Sequence, residues 1–242
     1  MLKYQKLFKV AIAKKFQDLC MKEDFPVQVP PEQYYREYDH LPRFICYFHQ
    51  IELVKSLSPK TVLEIGIGNK TVSNYLRQHG YTLTTVDFDS KLEPDCVADI
   101  RALPFEDNSF DTVLTSEVLE HLPWQDVDKA LTELHRVSKK YVIISVPYCS
   151  TCVEFTVRLP TPLQKCFGRQ YLDVLIALPH FFKTFKFNGE HYWELGTKGR
   201  SMRKFKKLLE ARFKIIRKLR PIFVPADRFL VLEKKINHTK KL

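Results

Sequence analysis

The sequence predicts an α/β fold built on a doubly wound, mostly parallel sheet, and two observations indicate it. Short apolar, β-branched runs alternate with segments of helical periodicity across residues 60–147. Strands separated by helices of this length normally lie parallel in one sheet. The first run, 61–65, is followed at once by Gly66 and Gly68, although the chain has only seven glycines. Such a strand, glycine turn and helix begin a nucleotide-binding α/β unit.

The strands and helices of the central part are predicted from the spacing of apolar residues and from the turn-forming residues between them. Each predicted strand is a short apolar run that ends at an acid, a turn or a proline, and each predicted helix carries an apolar stripe. Pro147 stops the last strand of the series. The predicted strands are 60–65, 82–86, 95–98, 110–115 and 141–146, and the predicted helices are 71–79 and 124–138.

The C-terminal part predicts one more helix, 200–212, and an antiparallel strand pair. The two strands, 213–219 and 228–235, are joined by only eight residues. A parallel crossover needs a dozen residues or more, so this pair is expected to be antiparallel.

The segments outside this alternation are interpreted as additions to the sheet. Residues 2–19 have an apolar stripe opposite lysines, which predicts an amphipathic helix that either packs as a lid or lies on a membrane. Residues 24–43 form a proline- and tyrosine-rich connector, and 44–57 form a helix. Residues 171–187 are dense in Leu, Ile and Phe and are interpreted as part of an inserted helical cap. The expected divisions are an N-terminal lid and connector (1–58), a cofactor-binding core (59–147), a substrate cap (148–197) and a C-terminal completion of the core (198–242).

Basic side chains concentrate toward the end of the chain. The net charge is +11, and residues 198–242 hold 16 Lys/Arg against three acids. This asymmetry indicates either an anionic partner, such as a membrane surface or RNA, or simply a solvated basic surface. The chain shows no signal peptide and no uncharged apolar run of the roughly 18 residues that span a bilayer, so the cytoplasm is expected. Its six cysteines are expected to be reduced there, and Cys149 and Cys152 lack a second pair for zinc, so no metal is predicted.

Functional side chains are expected where predicted strands end, because ligands of open α/β sheets bind at the carboxyl ends of the strands. Glu64 ends the first strand, beside the two glycines. Asp87 ends the second, where its carboxylate can accept from both ribose hydroxyls. Asp99 and Ile100 follow the third, as an acceptor for an exocyclic amine and an apolar contact for a purine. Residues 116–121, with Glu117 and His121, follow the fourth.

The residue types at these four places select the ligand. A dinucleotide loop needs a third glycine where this chain has Thr71. Glu64 would repel a pyrophosphate but suits an ammonium or sulfonium group. A ribose, an adenine and a positively charged amino-acid tail together describe S-adenosylmethionine. A nicotinamide-dependent oxidoreductase is therefore disfavoured.

Residues 60–147 resemble the class I S-adenosylmethionine-dependent methyltransferases of the type 11, quinone-methylase-like group. The matching pieces, in order, are VLEIGIG (62–68), VD (86–87), ADI (98–100), LPF (103–105), NSFD (108–111) and EVLEHL (117–122). The resemblance implies a Rossmann-like sheet whose terminal strands are antiparallel.

The same resemblance implies a role for each matching residue. Gly66 and Gly68 contact the methionyl part and Glu64 orients their loop. Asp87 holds the ribose, Asp99 and Ile100 the adenine, and Glu117 lines the cleft near the methyl group. One departure is Lys70, where the family often has a third glycine, and Asn69 is expected to tolerate the left-handed backbone in its place.

The acceptor is left open. Methyl transfer needs a base only if the acceptor is a hydroxyl or an acidic carbon, and His121 and His191 are the candidate catalytic residues. A small amphiphilic or prenylated acceptor and a sugar fit the sequence equally. RNA is a minority alternative, because no amino-methylating Asn/Asp-Pro-Pro-Tyr signature follows strand 110–115. A non-catalytic cofactor-binding partner protein is the other alternative.

Overall fold

The computed structural model describes residues 27–36 and 39–235, and within them nine strands. The predicted helix 2–19, part of the connector and the last seven residues lie outside the described residues. The strands are β1 Thr61–Ile65, β2 Thr82–Asp87, β3 Cys96–Val97, β4 Phe110–Ser116, β5 Ser138–Pro147, β6 Ser150–Arg158, β7 Tyr171–Pro179, β8 Phe213–Leu219 and β9 Asp227–Lys234.

Seven of these strands form one sheet in the order β3-β2-β1-β4-β5-β9-β8. The first five run parallel, with Leu63 opposite Thr84 on one side and Val113 on the other. Strand β9 is antiparallel to both β5 and β8. The sequence prediction of a mostly parallel sheet with an antiparallel C-terminal pair is therefore confirmed.

Helices cover both faces of this sheet. They are α1 Pro31–Arg36, α2 Leu41–Leu57, α3 Thr71–Gln78, α4 Val127–Val137, α5 Thr161–Phe167 and α6 Met202–Glu210. Successive strand residues point to opposite faces, so Leu63 joins a core cluster with α4 and α6, whereas Val62 joins one with α2 and α3. The predicted helix 124–138 begins as a 3₁₀ turn, Trp124–Asp126, before α4.

The expectation of a helical cap is wrong in its secondary structure. Strands β6 and β7 form a separate antiparallel hairpin, and the short α5 lies in their connection. In β7, Leu172, Val174, Ile176 and Leu178 alternate with less exposed residues. That spacing of two is the strand period, and the density of large apolar residues had concealed it.

Ion pairs connect the hairpin to the rest of the domain. Arg220, in the connection between β8 and β9, forms ion pairs with Glu154 of β6 and Asp173 of β7. Glu154 also accepts a 2.9 Å hydrogen bond from the backbone N–H of Phe223. These contacts fix the polar face of the hairpin against the sheet. Within the described residues, no helix combines the length and apolar character that crossing a bilayer requires.

Candidate functional site

A cleft of about 270 Å³ opens at the carboxyl ends of the parallel strands. Both predicted catalytic histidines and all seven predicted cofactor residues line it: Glu64, Gly66, Gly68, Asp87, Asp99, Ile100, Glu117, His121 and His191. The structure therefore brings together residues spread over 128 positions of sequence, from 64 to 191. Strand order divides the cleft. The ends of β2 and β3 lie on one side of β1, and the end of β4 lies on the other.

The turn after β1 needs glycine at its first position for two reasons. Gly66 has φ +80°, and a Cβ there would come within 2.3 Å of Val118 Cγ2. The loop after β1 and the loop after β4 are thus in van der Waals contact at position 66. Gly68 also has positive φ, +48°, and faces the ring of Tyr34 from α1. Both positions therefore have a backbone conformation that favours glycine, and the loop that they form lines the cleft.

Lys70, rather than Asn69, takes the left-handed conformation before α3, so the expectation for Asn69 is wrong. Lys70 has φ 62° and ψ 13°, which is the backbone that a third glycine would supply. Asn69 instead caps the turn. Its Oδ1 accepts from the Thr71 N–H at 3.1 Å and its amide donates to Asp39 at 2.8 Å. The loop therefore has the turn that a third glycine would give it, and its residues line the cleft.

Glu64 is a buried acid at the base of this loop, and its side chain is only 4 % exposed. Its Oε2 has no hydrogen-bond partner among the described residues. Burial raises the pKa of Glu64 to about 8, and the nearby Asp87 adds to this shift although Arg77 opposes it. The positive charge of Arg77 therefore does not compensate for the burial of Glu64, and the surroundings favour the protonated carboxyl group.

Asp87 is held by the backbone on both of its oxygens. Oδ2 accepts from the Ile67 N–H and Oδ1 from the Asp89 N–H, each at 3.0 Å. Burial raises its pKa, and these backbone bonds oppose that rise. Each oxygen retains a lone pair directed away from its N–H partner, so the fixed carboxylate can accept from a pair of hydroxyls.

Asp89 is a cleft residue that the sequence reasoning missed. It is buried and lines the cleft, and its Oδ1 accepts from the Lys91 N–H at 2.9 Å. Its Oδ2 has no hydrogen-bond partner within residues 27–36 and 39–235. The available signal was its spacing, because Asp89 lies two residues beyond Asp87 at the end of the same strand.

Asp99 lines the cleft but its carboxylate is already engaged. Arg101 Nε donates to both Asp99 oxygens, at 2.9 and 3.1 Å, and the Arg101 N–H donates to Oδ1 at 2.7 Å. Arg101 also pairs with Asp126 at 2.9 Å. Although burial alone would raise it, the pKa of Asp99 is lowered by the Arg101 contacts. Neighbouring Ile100 is buried against the cleft. The adenine contact of Asp99 stays a prediction, and it would have to be made beside this ion pair.

Glu117 closes the β4 side of the cleft with a left-handed backbone, φ 53°. Ser145 Oγ donates to its Oε1 at 2.7 Å. Behind it lie Glu120, which is 0 % exposed, and Asp227, which accepts from Cys46 Sγ at 2.8 Å. Burial, and then the charge of Asp227, raise the pKa of Glu117 to about 7. Burial beside Glu117 raises that of Glu120 as well. Three acids thus lie close together at this end, and of these Glu117 lines the cleft.

His121 and His191 meet edge to face at the same end, with ring centroids 5.0 Å apart. His121 Nδ1 lies 2.7 Å from Gln28 Oε1, and His191 Nδ1 lies 3.1 Å from Glu194 Oε1. Burial, and then His191, lower the pKa of His121 to about 4, so its ring is neutral at pH 7.

One group of donor atoms at this end has a spacing that suits a metal ion only after movement. Atoms of Glu120, His121 and His191 all lie within 4.8 Å of one another. Zinc bonds to nitrogen and oxygen ligands are about 2.0–2.2 Å long, so the three groups would have to draw together to share an ion. We assign no metal to them.

The remaining wall of the cleft comes from α1, α2 and the residues before them. The lining residues from this part are Val27, Gln28, Val29, Tyr34, Arg43, Tyr47 and Gln50. The sequence reasoning placed this region around the domain and did not predict a contact with the site. The signal is weak, because nothing local in a proline- and tyrosine-rich segment specifies which distant surface it covers.

Known proteins match this arrangement in family and in fold. The family model described as a methyltransferase domain, type 11, matches residues 63–145. No curated protein matches the chain. Three solved structures share its fold at 15 % identity. The PH0226 protein of Pyrococcus horikoshii OT3 has a TM-score of 0.54, covering 84 % of this chain and 96 % of that one.

The other two are named methyltransferases crystallised with S-adenosylhomocysteine. The 1,6-didemethyltoxoflavin-N1-methyltransferase of Burkholderia thailandensis has a TM-score of 0.54, covering 88 % of this chain and 94 % of that one. The magnesium protoporphyrin IX methyltransferase of Synechocystis PCC 6803 has a TM-score of 0.52, covering 84 % and 92 %. Residues 63–145 of this chain are a class I S-adenosylmethionine-dependent methyltransferase domain of the type 11 group.

Proposed function

We propose that this chain transfers a methyl group from S-adenosylmethionine to a small-molecule acceptor in the cleft. The observation that carries the proposal is the placement of two acids, Glu64 and Glu117, in the cleft at the ends of the adjacent strands β1 and β4. Burial raises the pKa of Glu64 to about 8 and that of Glu117 to about 7, so the protein groups around them disfavour negative charge on both. A ligand with an ammonium and a sulfonium group would supply the missing positive charge between them.

The rest of the cleft suits the adenosine half of the same ligand. On the β2 side of β1, the fixed Asp87 carboxylate offers two acceptor oxygens to a ribose diol, and Asp89 offers an unpartnered one. Ile100 supplies an apolar surface for a purine. The backbone of Gly66 and Gly68 lines the cleft and would contact the methionyl end, which then points toward Glu117.

The acceptor is proposed to enter at the end that holds His121 and His191. The bound cofactor supplies an activated methyl group on sulfur, so the protein chiefly has to align a nucleophile with it. The neutral His121 ring, held by Gln28, and His191, held by Glu194, offer fixed nitrogen atoms to an acceptor N–H or O–H. Glu117, with a pKa near 7, lies in the same end and can hold or take up a proton at neutral pH.

The chemical class of the acceptor is kept as two alternatives, an amphiphilic or prenylated molecule and a sugar-type molecule. Two of the fold neighbours are named as methyltransferases of 1,6-didemethyltoxoflavin and of magnesium protoporphyrin IX. These names support a small-molecule acceptor without selecting between the two alternatives. The alternative of a non-catalytic partner protein depended on Lys70, which stands where a third glycine is common. Lys70 adopts the left-handed backbone that such a glycine would have, and Gly66 and Gly68 line the cleft. RNA remains the less favoured acceptor, and the cytoplasm stays the predicted location.

Calorimetric titration tests the proposal. Wild-type protein is titrated with S-adenosylmethionine, S-adenosylhomocysteine and, as a control ligand, NAD. Asp87→Ala removes the ribose acceptor, and Asp128→Ala is the matched control, because Asp128 pairs with Arg212 on the surface away from the cleft. We expect both sulfur ligands to bind wild type and Asp128→Ala, and binding to Asp87→Ala to be at least about tenfold weaker.

Binding of NAD in place of the sulfur ligands would overturn the proposal, as would equal binding by the two variants. If the cofactor binds, radiolabelled methyl transfer to prenylated and sugar acceptors follows. Cofactor binding without turnover on any of them would favour the non-catalytic alternative.

A further inference from the structure

The hairpin β6–β7 turns an apolar face to solvent. Its outer face carries three cross-strand pairs of large apolar residues, Val153 with Ile176, Phe155 with Val174, and Val157 with Leu172. Each of these side chains is between 43 % and 61 % exposed, and Leu178, one position further along the face, is 69 % exposed. An apolar surface this continuous on a folded domain normally marks a contact with a partner or a lipid. We call these seven residues the hairpin face.

Further exposed apolar side chains lie beyond both ends of the hairpin. Leu163 and Phe167 belong to α5 in the connection between the strands, and both are exposed. Phe181 and Phe182 follow β7 after one intervening residue, and Phe182 is 98 % exposed. Aromatic and long aliphatic side chains are the types that enter the boundary between lipid headgroups and acyl chains.

The charges around the hairpin face are of one sign. Between residues 150 and 187 the basic side chains are Arg158, Lys165, Arg169, Lys183 and Lys186, and all five are exposed. The only acids in this range are Glu154 and Asp173. Both lie on the opposite face, in ion pairs with Arg220. By strand alternation Arg158 lies on the Glu154 face. Lys165 and Arg169 lie in the connection between the strands, and Lys183 and Lys186 follow β7. Exposed basic groups therefore lie beyond both ends of the apolar hairpin face.

This charge pattern favours one of the three surfaces that could cover the hairpin face: a second copy of the chain, the N-terminal residues or a lipid membrane. A second copy of the chain, stacked face to face, would bring together two sets of the basic side chains Lys165, Arg169, Lys183 and Lys186, and the hairpin has no acid on that face. The N-terminal 26 residues carry six lysines against three acids, so they too would add like charge. An anionic lipid surface offers both an apolar layer and complementary charge.

We propose that the hairpin face docks this protein onto an anionic phospholipid membrane. The apolar pairs of β6 and β7 enter the headgroup boundary, and the surrounding lysines and arginines contact lipid phosphates and carboxylates. The hairpin binds from one side without spanning the bilayer, since it is a two-stranded ribbon fixed to the domain through Arg220. None of its residues lines the cleft, so docking and cofactor binding can be measured separately.

Vesicle sedimentation with the full chain tests this docking. The vesicles are phosphatidylcholine alone and phosphatidylcholine mixed with phosphatidylserine. The apolar variant is Phe155→Ser with Ile176→Ser, and its control is Phe48→Ser, because Phe48 on α2 and Phe155 are both 58 % exposed. The charge variant is Lys165→Glu with Arg169→Glu, and its control is Arg203→Glu with Lys207→Glu on α6, where the same charge change is made at exposed sites.

We expect wild type and both controls to sediment with the mixed vesicles and to bind phosphatidylcholine alone weakly. Each hairpin variant should bind the mixed vesicles about tenfold more weakly. Titration with S-adenosylhomocysteine shows that every variant is folded. The charge variant leaves the apolar pairs untouched, so it tests the surface even if the apolar variant were to unfold.

Three results would overturn the proposal. Wild type that does not sediment with either vesicle would exclude it. Equal loss in the α6 charge control would assign binding to the basic C-terminal region instead of the hairpin. A dimer in light scattering that the apolar variant dissociates would show that a second copy, and not lipid, covers the hairpin face.

Discussion

Val118 Cγ2 occupies the position beside Gly66 where any other residue would place its Cβ, at a separation of only 2.3 Å. The relationship links the loop after β1 to the loop after β4, and both loops line the cleft. Packing at this point is therefore coupled to the shape of the site. A glycine is required here by space as well as by its positive φ.

Gly66→Ala should lower the free energy of unfolding by about 2–5 kcal/mol, because left-handed strain and overpacking add. Gly80→Ala is the matched control, since Gly80 has φ +83° and nothing within 4 Å of an added Cβ. It should cost only the strain, about 1–2 kcal/mol. Urea unfolding gives both values, and titration with S-adenosylhomocysteine should show lost binding only for Gly66→Ala. The double variant Gly66→Ala with Val118→Ala should regain part of the stability, and equal costs at positions 66 and 80 would contradict the contact.

Lys70→Gly should stabilise the fold by about 0.5–1 kcal/mol. The substitution relieves the strain of a left-handed backbone, which costs about 1–2 kcal/mol. This gain exceeds the free-energy cost that arises because a glycine has more conformational entropy in the unfolded chain. The ion pair of Lys70 with the exposed Glu93 is lost, but such pairs contribute little. Lys70→Ala separates the two effects, because it removes the pair and keeps the strain, and should stay within about 0.5 kcal/mol of wild type. A destabilised Lys70→Gly with weaker cofactor binding would show instead that the lysine side chain serves the site.

The buried acid Glu64 should make the unliganded protein less stable as pH rises. Its folded pKa, about 8, lies above the ordinary value of 4.5, so between these pH values the folded state holds a proton that the unfolded state has released. Raising the pH therefore favours unfolding, by up to about 1.4 kcal/mol per pH unit for one group. Glu117 acts in the same direction between 4.5 and about 7.

Urea unfolding between pH 5 and pH 8 measures this slope. Glu64→Gln removes the titrating group at nearly constant shape, so its unfolding free energy should fall less steeply than that of wild type. Glu106→Gln makes the same change at an exposed site and should keep the wild-type slope. Saturating S-adenosylmethionine should flatten the wild-type slope, because a bound cation favours the ionised Glu64. Parallel slopes in all three proteins would show that Glu64 is charged in the unliganded cleft.

The strand-end residues were predictable because one rule places them. Glu64, Asp87 and Glu117 each follow a recognisable strand, and parallel strands end at a common edge. No comparable rule connects the N-terminal segment to the site, so Arg43 and Tyr47 were missed. The contact between Asp99 and Arg101 spans only two residues, yet the sequence does not show that the arginine turns back to pair with the acid.

The hairpin was misread for a different reason. Residues 171–179 were interpreted from the amount of Leu and Ile, and amount does not separate a helix from a strand. The alternation of Leu172, Val174 and Ile176 does separate them, and it was available in the sequence. No local pattern shows that the apolar side of the strand stays exposed. Its exposure depends on the ion pairs of Arg220, which hold the opposite face of the hairpin against the domain.

His121→Ala and His191→Ala should slow methyl transfer while leaving the affinity for S-adenosylhomocysteine close to that of wild type. Both rings lie at the β4 end of the cleft, away from Asp87 and Ile100, so their loss affects the acceptor and not the adenosine half. If either ring exchanges a proton with the acceptor, kcat/KM should fall about 10²-fold or more. His79→Ala, at an exposed histidine stacked on Tyr75, is the control and should leave both quantities unchanged.

The pH profile then tests whether the ring of His121 titrates during the reaction. The His121 pKa of about 4 keeps its ring neutral above pH 5, so kcat/KM should show no His121-dependent step between pH 5 and 8. Glu117, whose pKa is raised to about 7, should contribute a step near pH 7, and this step should persist in His121→Ala. A step that disappears with His121 would mean that this ring titrates near neutrality when the acceptor is bound. Unchanged kcat/KM in both variants would remove the histidines from the reaction and leave Glu117 as the proton-accepting group to test at that end.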